Sequence, residues 1–197
     1  MKLNELFQIR KLYFGHEELA RVLGITLDSA RVAASRYVRQ GFLVRIKKNL
    51  YVLKDTWKNA SLEEKFQIAN IGQVPSYISL VTALDYYGMT TQVQRDFFES
   101  IALQRTREIP VQDTVFKYTK ISRNLYFGFQ RQKNFFIAKP EKALLDAFYL
   151  VSLGRYSLDL SAIEFDKVDK EKLQVMSKLF PAQTQKVLQT YGYITAA

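Results

Sequence analysis

The 197-residue chain contains no cysteine and only one histidine, His16. Without cysteine, the sequence cannot form disulfide bonds, thiolate nucleophiles or cysteine-based zinc sites. A single histidine excludes histidine-cluster metal sites and leaves little material for a histidine-dependent catalytic triad. No run of about 18 apolar residues occurs, and charges interrupt the N-terminus too early for a signal-peptide core. We therefore expect a cytoplasmic protein with no metal, no cofactor and no membrane span.

The usual signatures of catalysis are also missing. Gly128 and Gly154 stand alone, so no glycine-rich phosphate loop is present. Glu141 and Asp146 invite comparison with a carboxylate pair, but five residues on a helix turn them about 140° apart. Glu141 is better explained as a first-turn partner of the helix dipole, and Asp146 as an exposed or salt-bridged group. We expect a protein that is not an enzyme.

Positive charge is abundant and concentrated near the N-terminus. The formal net charge is +10, and residues 1–54 hold 11 lysines and arginines against 4 acidic residues, a net +7. Most of the excess therefore lies in just over a quarter of the chain. Such asymmetry is typical of one module that meets nucleic acid.

Helical spacing in this basic region predicts three helices, over residues 2–14, residues 16–23 and a third from the N-cap Thr26 to about Gln40. The third helix is amphipathic, with small and apolar residues on one side and polar or cationic residues on the other. Its small side should pack on the second helix and leave the arginines free for a DNA major groove. The predicted packed side is Leu27, Ala30, Ala33, Ala34, Tyr37 and Val38; opposite lie Asp28, Ser35, Arg36 and Arg39, with Val32 among them and Arg31 at the margin.

The runs "FLVRI" and "LYVL", separated by "KKN", predict a β-hairpin with a basic tip. Three helices followed by a basic hairpin indicate a winged helix-turn-helix, in which the third helix reads bases and the hairpin contacts the flanking backbone. The alternatives are a solvated arginine face and hairpin lysines that serve solubility. The predicted DNA-binding residues are Thr26, Ser29, Arg31, Ser35, Arg36, Arg39, Arg45, Lys47, Lys48 and Asn49.

The rest of the chain mixes helical and β patterns. Ser61 and Glu64 form a capping box that opens a helix, "SYISLVTALDYYG" has helical spacing, and Pro140 occupies a first helical position. Between the last two lie β-type runs, and helical patterns return after Asp169. We expect an α+β protein with a winged helix-turn-helix at residues 1–55, a polar bridge, and a mixed α/β domain at residues 60–197, in which a small mixed sheet is flanked by helices.

Three segments of this second part, "YISLVTALDYYGM", "FKYTKI" and above all "FIAKPEKALLDAFY", lie behind "GFLVRIKKNLYVL". Together they resemble the AbiEi-type antitoxins, transcriptional regulators of type IV toxin-antitoxin systems, over nearly the full length. The resemblance implies a DNA-binding N-terminal domain, a C-terminal antitoxin domain, repression of the protein's own operon and neutralisation of a nucleotidyltransferase-like toxin.

The expected partners are therefore double-stranded DNA, with an inverted-repeat operator, and a cognate nucleotidyltransferase toxin. Two copies on an inverted repeat and monomers on repeated half-sites are both compatible with the sequence. A second basic group is the candidate partner-binding surface, with a solvated face as its alternative. It comprises Arg123, Arg131, Lys133, Lys139 and Lys142.

Three other functions fit the same patterns. The first is a winged-helix regulator whose second domain senses a ligand or partner, with no toxin. The second is an enzyme acting on nucleic acid, with the winged helix as a targeting module. The third is a pure protein-interaction module, which would show no salt-dependent DNA binding.

Overall fold

The computed structural model describes residues 3–195, and within them the chain forms nine α-helices, three one-turn 3-10 helices and eight strands, an α+β arrangement. The helices are α1 Leu3–Leu6, α2 His16–Leu23, α3 Leu27–Arg39, α4 Lys54–Lys58, α5 Leu62–Gly72, α6 Leu80–Tyr86, α7 Pro140–Ser152, α8 Lys170–Ser177 and α9 Ala182–Thr190. The strands are β1 Leu43–Lys47, β2 Leu50–Leu53, β3 Ser76–Ile78, β4 Phe97–Ala102, β5 Arg107–Val111, β6 Thr114–Lys120, β7 Phe129–Gln132 and β8 Phe135–Ala138.

The strands form two sheets. β1 and β2 make an antiparallel hairpin, and the other six strands make one sheet in the order β5-β6-β4-β3-β8-β7. β4 pairs with β6 and β3 with β8 in parallel, whereas the remaining neighbours are antiparallel. The central strands β3 and β4 are buried almost throughout, as strands covered on both faces must be. The expected mixed sheet flanked by helices is confirmed.

The prediction of a first helix over residues 2–14 is wrong for most of that range. Lys2 lies outside the described residues, and α1 ends at Leu6. Phe14 instead forms an antiparallel bridge with Tyr51, and each backbone N–H donates to the other carbonyl at 2.9 Å. Those hydrogen bonds to the hairpin require extended backbone, so the helix cannot continue to Phe14.

Three further elements differ from the sequence patterns. The expected polar bridge contains α4, whose Trp57 is buried against Phe116 with ring centroids 6.2 Å apart. The segment "SYISLVTALDYYG" begins as the strand β3 and becomes helical only at Leu80. β5 carries no strong β pattern and was not predicted. α4 and β3 contact distant parts of the sequence, whereas β5 pairs with β6, the strand that directly follows it.

The hairpin β1-β2 is shared between two hydrophobic cores. One core lies mainly within residues 3–53, which we call the N-terminal unit, and the other lies mainly within residues 54–195, which we call the large domain. Because successive side chains of a strand point to opposite faces, the hairpin packs on both. Leu43, Tyr51 and Leu53 join the core of the N-terminal unit, whereas Val44, Ile46, Leu50 and Val52 join the core of the large domain.

A fully buried ion pair lies at the centre of the large domain. The Lys142 ammonium pairs with Asp146, one turn later on α7, and also donates to the Tyr77 hydroxyl at 2.9 Å. Asp146 accepts further hydrogen bonds from Tyr77 at 3.0 Å and Ser79 at 2.8 Å. Burial raises the pKa of Asp146, and the attraction of the Lys142 ammonium opposes that rise.

This pair confirms one expectation and corrects another. Asp146 is salt-bridged, which is one of the two roles expected for it. Lys142 has no exposed surface, so it cannot contact a partner protein as predicted. Three rings, of Tyr77, Phe127 and Phe180, lie within 5.5 Å of the Lys142 ammonium. Cation-π contacts therefore help to replace the water that this ammonium loses.

Asp146→Asn should destabilise the fold by about 3–5 kcal/mol, because it leaves the Lys142 ammonium buried without a counter-charge. The double variant Lys142→Met, Asp146→Leu removes both charges and should cost less than this single variant. Urea unfolding of the two proteins measures the difference. A double variant less stable than Asp146→Asn would contradict this assignment.

Candidate nucleic-acid interface

The helices α2 and α3 are joined by a tight turn whose geometry the sequence determines locally. Gly24 ends α2 in the left-handed conformation, with φ of 59°, which a glycine adopts without steric cost. Thr26 then caps α3, and its hydroxyl oxygen accepts a hydrogen bond from the Ser29 backbone N–H at 3.2 Å. The predicted second and third helices and the Thr26 cap are confirmed.

The small side of α3 packs inward as expected. Ala30, Ala33, Ala34 and Tyr37 are buried in the same core as Leu19 and Leu23 of α2 and the hairpin residues already named. Small side chains on α3 allow the two helices to approach closely. Leu27 departs from the prediction, because it is exposed at the first helical position.

The opposite side of α3 is exposed and cationic; we call it the arginine face. Arg31 forms an ion pair with Asp28 at 2.7 Å, but both groups are largely exposed, so the pair contributes little and can open for a ligand. The Arg36 guanidinium lies 5.3 Å from the centroid of the Tyr37 ring. Val32 is 70% exposed. The arginine face comprises Ser29, Arg31, Val32, Ser35, Arg36 and Arg39.

The basic residues of the hairpin differ in whether their charged groups are exposed or bonded within the protein. Arg45 and Lys48 are exposed, and their charged groups have no ion-pair partner among the described residues. Lys47, in contrast, donates to the Ile71 carbonyl at 2.6 Å, at the C-terminal end of α5. The strand register shifts between Arg45 and Lys47, and this irregularity directs Lys47 toward the large domain. Burial, then the charge of Arg107, lower the pKa of Lys47.

Asn49 also has a structural partner. Its side-chain oxygen accepts a hydrogen bond from the His16 backbone N–H at 2.6 Å, at the first residue of α2. Gly15 permits this approach, because a β-carbon there would lie 3.0 Å from that oxygen. Asn49 therefore caps α2 from the hairpin, a role that the sequence did not indicate.

A concavity between α3 and the hairpin collects several of the exposed cations. His16 lies on its floor, with its Nε2 atom 3.0 Å from the Tyr51 hydroxyl. Partial burial lowers the pKa of His16, and the nearby cations Arg31, Arg45 and Lys48 contribute to the lowering. The site thus has an excess of positive charge that a phosphate could neutralise. It is lined by His16, Arg31, Ser35, Arg45, Lys48, Asn49 and Tyr51.

Lys48 also borders a second basic concavity, which the sequence analysis missed. Its other cationic lining residues are Lys47, Arg105 and Arg107. Arg107 donates to the Gly72 carbonyl at 2.8 Å, next to the carbonyl that Lys47 uses. The alternation of Ile109 and Val111 in "REIPV" was the available signal for β5, although Pro110 weakens it. Positive charge therefore continues from α3 across the hairpin tip to the edge of the large domain.

The second basic group is distributed over several elements of the large domain. Arg131 lies in β7 and Lys133 in the turn between β7 and β8, and Lys133 forms an ion pair with Glu63 at 2.7 Å. Arg123 lies in a one-turn helix before β7, and Lys139 is the N-cap of α7. These four residues are exposed, unlike Lys142.

Within residues 3–195, no group of three or more histidine, aspartate or glutamate side chains is arranged to hold a metal ion. No helix in the described part of the chain is long and apolar enough to cross a membrane.

Comparison with known proteins gives a likeness of fold. No protein-family model matches the sequence. No curated protein matches it either. The crystal structure of the Rv2827c protein from Mycobacterium tuberculosis superimposes with a TM-score of 0.58 at 11% identity, covering 96% of this chain and 75% of that one. At this identity, the likeness shows a shared fold only.

Asn49→Gly should lower the free energy of unfolding by about 0.5–2 kcal/mol, because it removes the hydrogen-bond acceptor that caps α2. Glycine tolerates the positive φ of 58° at this position, so backbone strain does not confuse the result. Asn49→Asp keeps an acceptor and should retain most of the stability. Urea unfolding distinguishes the two variants, and equal stability would argue against the cap.

Proposed function

We propose that the N-terminal unit is a winged helix-turn-helix that binds double-stranded DNA, and that the protein represses its own operon. The observation that carries this proposal is the two-sided character of α3. Its small side chains are buried against α2, whereas its arginines are exposed and adjoin a basic concavity. An exposed cationic helix with this support has the form that major-groove recognition needs.

The proposed contacts follow from where each side chain lies. Arg31, Ser35, Arg36 and Arg39 would face base edges, since arginine pairs bidentately with guanine. Thr26 and Ser29 lie at the N-terminus of α3, where backbone N–H groups favour a phosphate. Arg45 and Lys48 would contact the backbone beside the groove. Lys47 and Asn49 already bond to Ile71 and His16, so we propose that they position the hairpin and contact DNA only secondarily.

The large domain is proposed to act as an antitoxin against a nucleotidyltransferase-like toxin. This part of the proposal rests on the resemblance of "FIAKPEKALLDAFY" to the AbiEi-type antitoxins. That segment forms β8 and α7, and it contributes the buried pair Lys142 and Asp146. The buried residues of this segment therefore support the domain fold, and the proposed partner surface consists of exposed residues, one of which, Lys139, lies in the segment itself. The exposed residues Arg123, Arg131, Lys133 and Lys139 are the candidates.

A second candidate function is a transcriptional regulator that senses a small ligand and has no toxin partner. An apolar pocket of about 280 Å³ in the large domain favours it, because nothing in an antitoxin role requires such a pocket.

Arg36→Ala and Arg39→Ala should each weaken binding to a duplex selected from random sequences. A base-reading arginine should cost about 1–3 kcal/mol and relax preference at one base pair, whereas a phosphate contact should lower the salt slope by about one unit. Fluorescence anisotropy at several salt concentrations measures both quantities. Lys186→Gln, an exposed α9 lysine, is the matched control and should bind as the wild type does. Unchanged DNA affinity in both arginine variants would contradict the proposal that α3 contacts DNA.

The double variant Arg131→Glu, Lys139→Glu should abolish protection of cells that express the toxin from the adjacent gene, because it reverses two exposed charges on the candidate partner surface. It should leave DNA binding unchanged, since neither residue lines the two basic concavities beside α3 and the hairpin. Growth after co-expression is the measurement, with Lys186→Glu as the matched control. Full protection by the double variant, or an adjacent gene product without toxicity, would contradict this part of the proposal.

A further inference from the structure

The large domain contains a pocket that neither DNA binding nor the antitoxin role uses. It opens between the end of α5, the start of β3 and the hairpin β7-β8, and its volume of about 280 Å³ is near the lower end for small-molecule sites. Its lining contains no charged side chain. The lining residues are Gln67, Asn70, Ile71, Val74, Pro75, Ser76, Tyr126, Phe129, Asn134 and Phe136.

Aromatic rings make up much of its wall, and they support one another. The rings of Tyr126 and Phe129 meet edge to face, with centroids 4.9 Å apart, and Phe129 meets Phe136 in the same way at 6.1 Å. Tyr77 stacks behind Phe129 at 4.6 Å. The walls are thus held by packing before any ligand arrives. Phe136 is nevertheless 42% exposed, and Val74 is 56% exposed, so apolar surface stays open to solvent beside the pocket.

Asn70 gives the pocket one polar feature. Its side-chain oxygen accepts a hydrogen bond from the Phe136 backbone N–H at 2.5 Å, which fixes the orientation of the amide. The amide nitrogen is buried and has no hydrogen-bond acceptor among the described residues. Buried donors in folded proteins are nearly always paired, so this amide nitrogen is a donor that a water molecule or a ligand acceptor in the pocket would satisfy.

The pocket adjoins the contact between the large domain and the hairpin. Ile71 lines the pocket, and its carbonyl accepts the hydrogen bond from Lys47. Val74 lines both the pocket and the second basic concavity. A molecule in the pocket would therefore contact Ile71 and Val74, next to the Ile71 carbonyl that holds Lys47 at the hairpin tip.

We propose that this pocket binds a neutral, planar aromatic molecule that carries a hydrogen-bond acceptor, and that its occupancy changes the affinity of the N-terminal unit for DNA. The rings select a planar ligand, the lack of charged lining residues selects a neutral one, and Asn70 supplies the donor for its acceptor. The ligand site does not depend on the proposed function. The effect of the ligand on DNA affinity does, because it rests on the proposal that the N-terminal unit binds DNA.

The test uses the full chain labelled with ¹⁵N and benzamide as the probe, a planar neutral ring with a carbonyl acceptor. Benzamide should shift the backbone signals of Ile71, Ser76 and Phe136 and the Asn70 side-chain amide saturably, with a dissociation constant on the order of 1 mM for so small a ligand. Benzoate should bind at least about tenfold more weakly, because its charge must lose water without a cationic partner. Cyclohexanecarboxamide, which is not planar, should also bind more weakly.

Phe136→Ala should weaken benzamide binding, and Val175→Ala, which removes an exposed apolar side chain of α8, should not. The absence of saturable shifts at the four pocket signals, equal binding of benzoate, or an unaffected Phe136→Ala variant would each overturn the site.

The effect on DNA is measured separately. Saturating benzamide should change the dissociation constant for a duplex by at least about fivefold in the wild type, and by less in Lys47→Gln, which lacks the ammonium contact to Ile71. An unchanged constant in a protein that binds both benzamide and DNA would overturn the coupling but leave the site. Failure to bind DNA at all would contradict the proposed function, and the benzamide titration would still decide the pocket.

Discussion

The two-sided packing of the hairpin β1-β2 is the interaction on which the arrangement of this protein depends. One face of the hairpin completes the core beneath α2 and α3, and the other face enters the core of the large domain. A short hairpin on its own is marginal in water, and burial on both faces supplies the stability that it lacks. Because both cores use the same strands, the position of α3 relative to the six-stranded sheet is set by this packing.

Polar contacts at the tip of the hairpin reinforce that position. Asn49 caps α2 on one side, and Lys47 satisfies a carbonyl at the C-terminal end of α5 on the other. Cations are favourable at the C-terminal end of a helix, and Arg107 supplies a second one there. Of the four tip residues predicted to bind DNA, Lys47 and Asn49 form hydrogen bonds within the protein, whereas Arg45 and Lys48 have exposed charged groups. The hydrogen bonds of Lys47 and Asn49 fix the positions of these exposed charges relative to α3.

Features set by neighbouring residues could be predicted from the sequence. The alanine side of α3, the Thr26 cap, the capping box of Ser61 and Glu64, and Pro140 at the start of α7 all depend on spacing within one turn. Features set by distant partners could not. Phe14 leaves the helical state to pair with Tyr51, and β3 is a strand because β4 and β8 lie beside it. Lys142 can be buried because Asp146 and Tyr77 bind its ammonium group. The sequence around Lys142 shows only a basic residue near the start of a helix, which does not indicate burial.

The central claim is that the arginine face of α3, held by the hairpin, is the surface that meets DNA. Titration of the ¹⁵N-labelled protein with a duplex, followed by backbone amide shifts, tests it most directly. The claim predicts that the largest changes fall within residues 26–39 and 45–49, with smaller ones near Arg105 and Arg107. Changes confined to the large domain away from the hairpin, with residues 26–39 unaffected, would contradict it.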